Sequence, residues 1–165
     1  MRFEHIRHKP PTPLDREREI VVVLAPMRSN VNLSRIVRLC GCAGIKQVIQ
    51  CGAGKVDREI ARDAIDYVQV QIRRSLIPVV AQLGKDGYTL VGLEQTTNSE
   101  SLYDFIFPCK TALVVGAERE GLEEEVLRLL DHVVEIPVYG QPASYNVATA
   151  TTMAVYEYCR QHRSG

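Results

Sequence analysis

The sequence predicts an α/β fold, a mainly parallel sheet with helices on both faces. Short β-branched runs of nearly continuous hydrophobicity recur along the chain. Segments of helical period separate them, and the two kinds alternate. Strands apolar on both sides are strands covered on both sides, the habit of parallel sheets joined by helical crossovers.

Taken in order, residues 1–19 are polar, and Pro10, Pro11 and Pro13 oppose regular structure. They read as a flexible N-terminal arm, with 20–165 as one domain. IVVVLAP (20–26) is the first strand. A helix over 32–44 follows, because Leu33, Ile36, Val37 and Cys40 make one buried stripe and leave Arg35 and Arg38 on the opposite face. KQVIQCG (46–52), YTLVGLEQ (88–95), TALVVGAE (111–118) and HVVEIPV (132–138) read as further strands. Helical patterns lie near 57–67, 75–86 and 121–130, with a long last one near 146–162. In 121–130, Leu122, Val126, Leu129 and Leu130 face inward while Glu123, Glu124 and Glu125 occupy the first turn, where carboxylates suit the helix dipole. The last helix holds ATATT (148–152), a small-residue surface that another backbone can approach closely.

Composition excludes several classes of function. Lys plus Arg and Asp plus Glu are 20 each, so no global charge draws in nucleic acid or membrane. No apolar run approaches a bilayer span, and the first residues carry no apolar signal core. Five cysteines, an odd number without C-x-x-C spacing, support neither a disulfide framework nor a zinc site and fit a reducing cytoplasm. Neutrality conceals an asymmetry, however. Residues 20–56 hold five basic side chains and no acid, whereas 118–135 hold seven acids against Arg119 and Arg128. One end of the fold can therefore present a positive surface to a polyanion.

Familiar catalytic patterns are missing. No G-x-G-x-x-G follows a strand, no G-x-S-x-G elbow occurs, and CGAGK (51–55) lacks the Ser or Thr of a phosphate loop because Val56 stands there. His5 and His8 lie in the arm, His132 at a helix–strand junction and His162 near the C-terminus. Neither a histidine-based acid–base centre nor a metal site is expected.

Three strand-end junctions stand out instead. In PMRSNVNLSRIVRLCGCAGI (26–45), Asn32 precedes the apolar stripe, where it could serve as an N-cap. Arg38, six residues on, lies about 9 Å further along the axis. In VVGAEREGL (114–122), Gly116 ends a strand where backbone can approach a ligand, and Gly121 opens the next helix. IPVYGQPASYNVATA (136–150) is a Pro- and Gly-punctuated loop in which Ser144 or Asn146 would cap the last helix. Parallel α/β folds bind ligands at the carboxyl ends of their strands, so three such loops together weigh more than each alone.

In this order and spacing the three segments resemble the signature motifs of the SPOUT superfamily, specifically the SpoU–TrmH type of RNA ribose 2′-O-methyltransferases. Asn32 with Arg38 resembles the first motif, Gly116 to Leu122 with Glu118 the second, and Ile136 through Ser144-Tyr145-Asn146 the third. The resemblance spans about residues 20–162, and YTLVGLEQT followed by TALVVGAEREGL is most similar to the branch that methylates a guanosine ribose in tRNA. Two departures stand in the motifs. Small residues usual between the Asn and Arg of the first are here Ser34 and Arg35, and the usual Leu of the third is Tyr145.

The resemblance implies a C-terminal deep trefoil knot, S-adenosylmethionine as methyl donor, and a homodimer with the last helix in the interface. It implies catalytic roles for Arg38, Asn32, Glu118, Ser144 and Asn146. Gly116, Ile136 and Tyr145 would bind the donor, with Gln95 and Thr96 near its adenine. Arg28, Arg35 and Arg38 would face the RNA, a tRNA before an rRNA. The two departures are the only support for a rival reading, a catalytically silent knot protein that binds RNA or assists ribosome assembly.

Overall fold

The structure, a computed structural model, describes residues 1–7 and 9–165; His8 lies outside the described residues. In chain order the elements are β1 (Ile20–Leu24), α1 (Asn30–Cys42), β2 (Gln47–Cys51), α2 (Arg58–Ala61), α3 (Ala64–Tyr67), β3 (Gln69–Arg73) and α4 (Leu76–Lys85). They continue with β4 (Thr89–Leu93), β5 (Glu100–Ser101), β6 (Thr111–Val115), α5 (Glu124–Leu127), β7 (His132–Glu135) and α6 (Val147–Gln161). The strands form one seven-stranded sheet in the order β3-β2-β1-β6-β4-β7-β5. Every pairing is parallel.

Alternation along the strands builds a core on each face. Val22 and Leu24 of β1 pack with Leu33, Ile36 and Val37 of α1 and with Ala154, Val155 and Tyr158 of α6. Val21, Val23 and Ala25 turn the other way, onto Leu76, Val80 and Leu83 of α4 and Val126 of α5. Helices thus cover both faces. Each large aliphatic side chain so buried contributes roughly 1.5–3 kcal/mol. The largest fully buried side chain, Tyr158, keeps its hydroxyl satisfied by donating to the Cys109 carbonyl at 2.6 Å.

Several expectations need correction. β3 and β5 are strands that the apolar-run criterion passes over. β3 reads Gln-Val-Gln-Ile-Arg, an edge strand exposed along much of its length, and β5 has only two residues. The helix expected at 57–67 is two short ones, because Arg62 at φ 55° breaks it. The helix expected at 121–130 shrinks to α5: Gly121, at φ 65°, pairs with Ala117 in a tight turn rather than opening the helix. α1 begins earlier than expected and is capped by Ser29, whose side chain accepts from Asn32 N, so Asn32 is not the cap. Asn146 does cap α6, accepting from Ala148 N and Thr149 N.

The arm expected over 1–19 is tied down at its end. Asp15 N donates to Ser164 O at 2.9 Å, Arg16 Nε to Gly165 O at 2.7 Å and Arg18 Nε to Ala43 O at 2.9 Å. The ATATT surface is also partly used within the chain. Ala148 and Thr151 are buried in the α6 packing, leaving Thr149 and Thr152 exposed.

Topology places the site. From β1 the chain winds outward to β2 and β3, crosses to β4 on the far side, and later inserts β6 between β1 and β4 and β7 between β4 and β5. The winding direction reverses at the centre, where parallel sheets open a crevice outside their carboxyl ends.

Candidate active site

A cleft of about 240 Å³ opens at the carboxyl ends of β4, β6 and β7. Leu93, Val115, Ile136, Val138, Val147 and Ala150 give it apolar walls, while Glu94, Glu118, Glu135 and Arg119 bring charge to it. Gln95, Gly116, Ser144 and Tyr145 line it as well. Thr96 does not: it folds into a local turn with Ser99, whose hydroxyl bonds Thr96 O at 2.9 Å and Glu135 at 2.7 Å.

A chain of side-chain hydrogen bonds links the three loops. Glu118, after β6, accepts from Asn32 Nδ2 of α1 at 3.1 Å. Asn32 Oδ1 in turn accepts from Asn146 Nδ2 at 3.3 Å, and Asn146 Oδ1 accepts from the first amides of α6. Glu118 also accepts from Arg28 N at 3.0 Å and Ser29 N at 3.1 Å, fastening the β1–α1 loop to the β6 loop. Residues far apart in sequence are thereby fixed relative to one another at one edge of the cleft.

The Glu118 carboxyl sits below the usual carboxylate range. Partial burial pushes it up, but bonds from the Arg28 amide, its own amide, the Asn32 side chain and the Ser29 amide together pull it further down. Folding therefore favours the ionised form. Its contribution to stability is full above the unfolded value of about 4.3 and is lost as pH falls from there through the lower folded value. The stability advantage of the wild type over Glu118→Gln, measured by urea unfolding, is expected to shrink as the pH drops through that window. An advantage that stays constant there would show that Glu118 is not held as the anion.

Two other candidates stand apart from this network. Arg35 and Arg38 are exposed on α1, and no hydrogen bond or ion pair joins the side chain of either to another described residue. Ser144 lines the cleft without joining the Asn32–Asn146 chain. Arg28 is paired with Glu120. Ser34, one of the two departures in the first motif, has a structural task. Fully buried, its hydroxyl donates to Asn30 O at 2.6 Å and accepts from Asp57 N at 2.8 Å, clasping the loop after β2 to α1.

The residue that sequence reading missed is Glu94. Its carboxylate accepts from Leu122 N at 2.9 Å and Gln95 N at 3.0 Å, joining the β4 loop to the β6 loop. A carboxylate closing the apolar run YTLVGLEQ was the available signal.

A parallel sheet whose carboxyl-end loops are locked together around one cleft defines a ligand-binding α/β protein with its site at the topological switch. Comparison with known proteins narrows this. The model of the SpoU rRNA Methylase family matches residues 19–156, and the chain belongs to that family. Among its relatives is the mouse tRNA (guanosine(18)-2′-O)-methyltransferase TARBP1, 32% identical over 152 residues, 88% of this chain and 10% of that protein. Another is the tRNA (guanosine(18)-2′-O)-methyltransferase of Escherichia coli K12, 26% identical over 90% of this chain and 66% of that protein. The chain thus spans a tenth of the mouse relative and 66% of the bacterial one. The Aquifex aeolicus TrmH/SpoU tRNA modifying enzyme superimposes with a TM-score of 0.84 at 24% identity, covering 91% of this chain and 78% of that one. The SpoU methyltransferase AviRb from Streptomyces viridochromogenes, solved with AdoMet, gives 0.78 at 27% identity, covering 91% and 63%.

Proposed function

We propose that the chain transfers a methyl group from S-adenosylmethionine to the ribose 2′-hydroxyl of an RNA, with a tRNA guanosine as the target. The observation that carries this reading is the Glu118–Asn32–Asn146 hydrogen-bond chain, which brings all three motifs to one edge of the cleft. The guanosine target follows the printed activity of the mouse and bacterial relatives.

The cleft suits the donor. Its apolar walls fit an adenosine, and Glu94, Glu118 and Glu135 offer negative charge to a cationic sulfonium. Gly116, Ile136, Tyr145 and Gln95 would hold the donor, whose chemistry when bound is an electrophilic methyl on sulfur. Because transfer is an in-line displacement, the main task of the protein is positioning. Glu118, Asn32 and Asn146 keep the loops in register, and Ser144 faces the ribose at the cleft edge. Arg38 stays protonated and so is no base. It clamps the neighbouring phosphate and the developing alkoxide, while the hydroxyl proton passes to phosphate or water. Tyr145, half-exposed in the third motif, forms part of the wall of both the cleft and the adjoining groove beside α6.

The segment after β7 is further read as threaded through a loop in a deep trefoil knot, and the protein as a homodimer joined through α6. The late insertion of β6 and β7 beside earlier strands supports the first. Exposed Thr149, Thr152 and Tyr156 on α6 support the second. An experimental chain trace that straightens without a crossing when drawn from both ends would contradict the knot. Sedimentation at micromolar concentration should give about twice the monomer mass; a strict monomer that methylates RNA would contradict the interface.

The test of the function is a map of ribose methylation across tRNA and rRNA with the gene present and deleted. Loss of one tRNA guanosine methylation on deletion is expected. Unchanged maps would reject the reading. Calorimetry should give donor affinity of micromolar to tens of micromolar, roughly −6 to −8 kcal/mol.

A further inference from the structure

The carboxyl rim of the sheet divides by charge. Over β4, β6 and β7 the cleft is lined by three carboxylates, Glu94, Glu118 and Glu135, against one cation, Arg119. Over β1, β2 and β3 the loops and strand ends expose Arg28, Lys55, Arg73 and Arg74, which continue past the site to the edge of the sheet, with Asp57 and Glu59 exposed among them. We propose that this basic half is a phosphate track for the RNA strand leaving the site, with Lys55, Arg73 and Arg74 as its outer contacts. The inference rests on the RNA-methyltransferase reading above and adds to it the path of the substrate.

Hydrogen bonds knit the track into one surface. Arg73 ends β3 in register with Cys51 of β2, and its carbonyl accepts from Gly52 N at 2.8 Å. The loop that starts at Gly52 then runs against α1: Lys55 N donates to Asn30 Oδ1 at 3.0 Å and Asp57 N to Ser34 Oγ at 2.8 Å. Lys55 and Arg73 therefore flank a fixed loop that abuts the helix carrying Arg35 and Arg38. From β6 to β3 is three strand spacings, about 14 Å, a span that several nucleotides would cover.

These cations are available. Among the described residues the Arg73 guanidinium reaches only neutral oxygens, Gln71 Oε1 at 2.6 Å and Ile72 O at 3.3 Å. Among the described residues none of Arg35, Arg38, Lys55, Arg73 and Arg74 is ion-paired, whereas Arg28, Arg58, Arg128 and Arg160 all are. The intervening acids are mostly occupied or balanced. Asp57 caps α2, Asp66 pairs with Arg58, and Glu59 and Asp63 flank exposed Arg62. A cationic donor in the acidic half and a polyanion along the basic half is the complementary arrangement. Contacts so far from the reacting atoms act equally on bound substrate and transition state, so they set KM rather than kcat.

The test compares the full chain with the triple variant Lys55→Gln, Arg73→Gln, Arg74→Gln, using unmodified tRNA transcripts between about 50 and 200 mM salt. The slope of log affinity against log salt should fall by about two units, and KM for RNA should rise roughly tenfold or more. Both kcat and S-adenosylmethionine affinity should hold. The charge-keeping triple Lys55→Arg, Arg73→Lys, Arg74→Lys should behave as wild type, as should Lys46→Gln with Lys85→Gln beside the amino ends of the strands. A neutral triple with wild-type slope and KM, or an equal loss in the amino-end pair, would overturn the track. Wild-type protein that binds the donor but no RNA would instead overturn the reading on which the track rests. Should the triple fail to fold, Lys55→Gln and Arg74→Gln alone should each lower the slope by about 0.7–0.9, and unchanged slopes in both would overturn it.

Discussion

Arg38→Ala is expected to slow methyl transfer about 10²–10³-fold, the range for losing one donor aimed at developing charge. Stability should change by no more than about 0.5 kcal/mol, because the Arg38 side chain is exposed on α1 and bonded to no other described residue. Donor affinity should hold, since the cleft is lined by the β4, β6 and β7 loops and α6, without α1. Arg35→Ala, on the same helix face, should mainly weaken RNA binding and lower its salt slope by about one contact. Single-turnover kinetics at saturating RNA separate the two. Equal, small effects on turnover would reduce both arginines to surface charge and reject the mechanism.

Gly116→Val should be the most damaging single change to the site. A Cβ there would lie 2.5 Å from the Gly121 carbonyl carbon and 2.8 Å from its Cα. Those are backbone atoms, and Gly121 is held by bonds to Ala117 in both directions at 3.1 Å. The side chain therefore cannot be accommodated without opening the turn that carries Glu118. Overpacking of this kind costs about 1–3 kcal/mol, and the Glu118–Asn32 link should go with it. Calorimetry should register at least about a tenfold loss of donor affinity, worth about 1.4 kcal/mol. Gly140→Ala, where a Cβ meets nothing within 4 Å, is the matched control. Full donor affinity and stability in Gly116→Val would show that the turn is not part of the site. Gly116 still lines the cleft with its backbone, while the space a side chain would need belongs to Gly121.

The central strands were legible because burial on both faces leaves long β-branched runs, as in IVVVL and TALVV. The edge strand β3 was not. With one neighbour and an exposed outer side its residues need not be apolar, and its Gln-Val-Gln-Ile-Arg pattern is that of a surface. The break at Arg62 was equally hidden, since nothing in the residue type announces a positive φ. Of the candidate site, the motif spacing singles out Asn32, Glu118 and Asn146, and the structure joins the three by hydrogen bonds. That Ser29, not Asn32, caps α1 depends on where the β1 loop turns, which is a tertiary matter. Glu94 escaped for the same reason: its partner Leu122 is far away in sequence, brought close only by the insertion of β6 beside β4.

Purified protein incubated with methyl-labelled S-adenosylmethionine and unmodified tRNA, followed by digestion to nucleosides, tests the central claim most directly. Label is expected in 2′-O-methylguanosine at one tRNA position, reduced at least about tenfold in Gly116→Val at subsaturating donor and about 10²–10³-fold in Arg38→Ala. Label on a base, or no transfer by protein that binds both donor and tRNA, would contradict that claim.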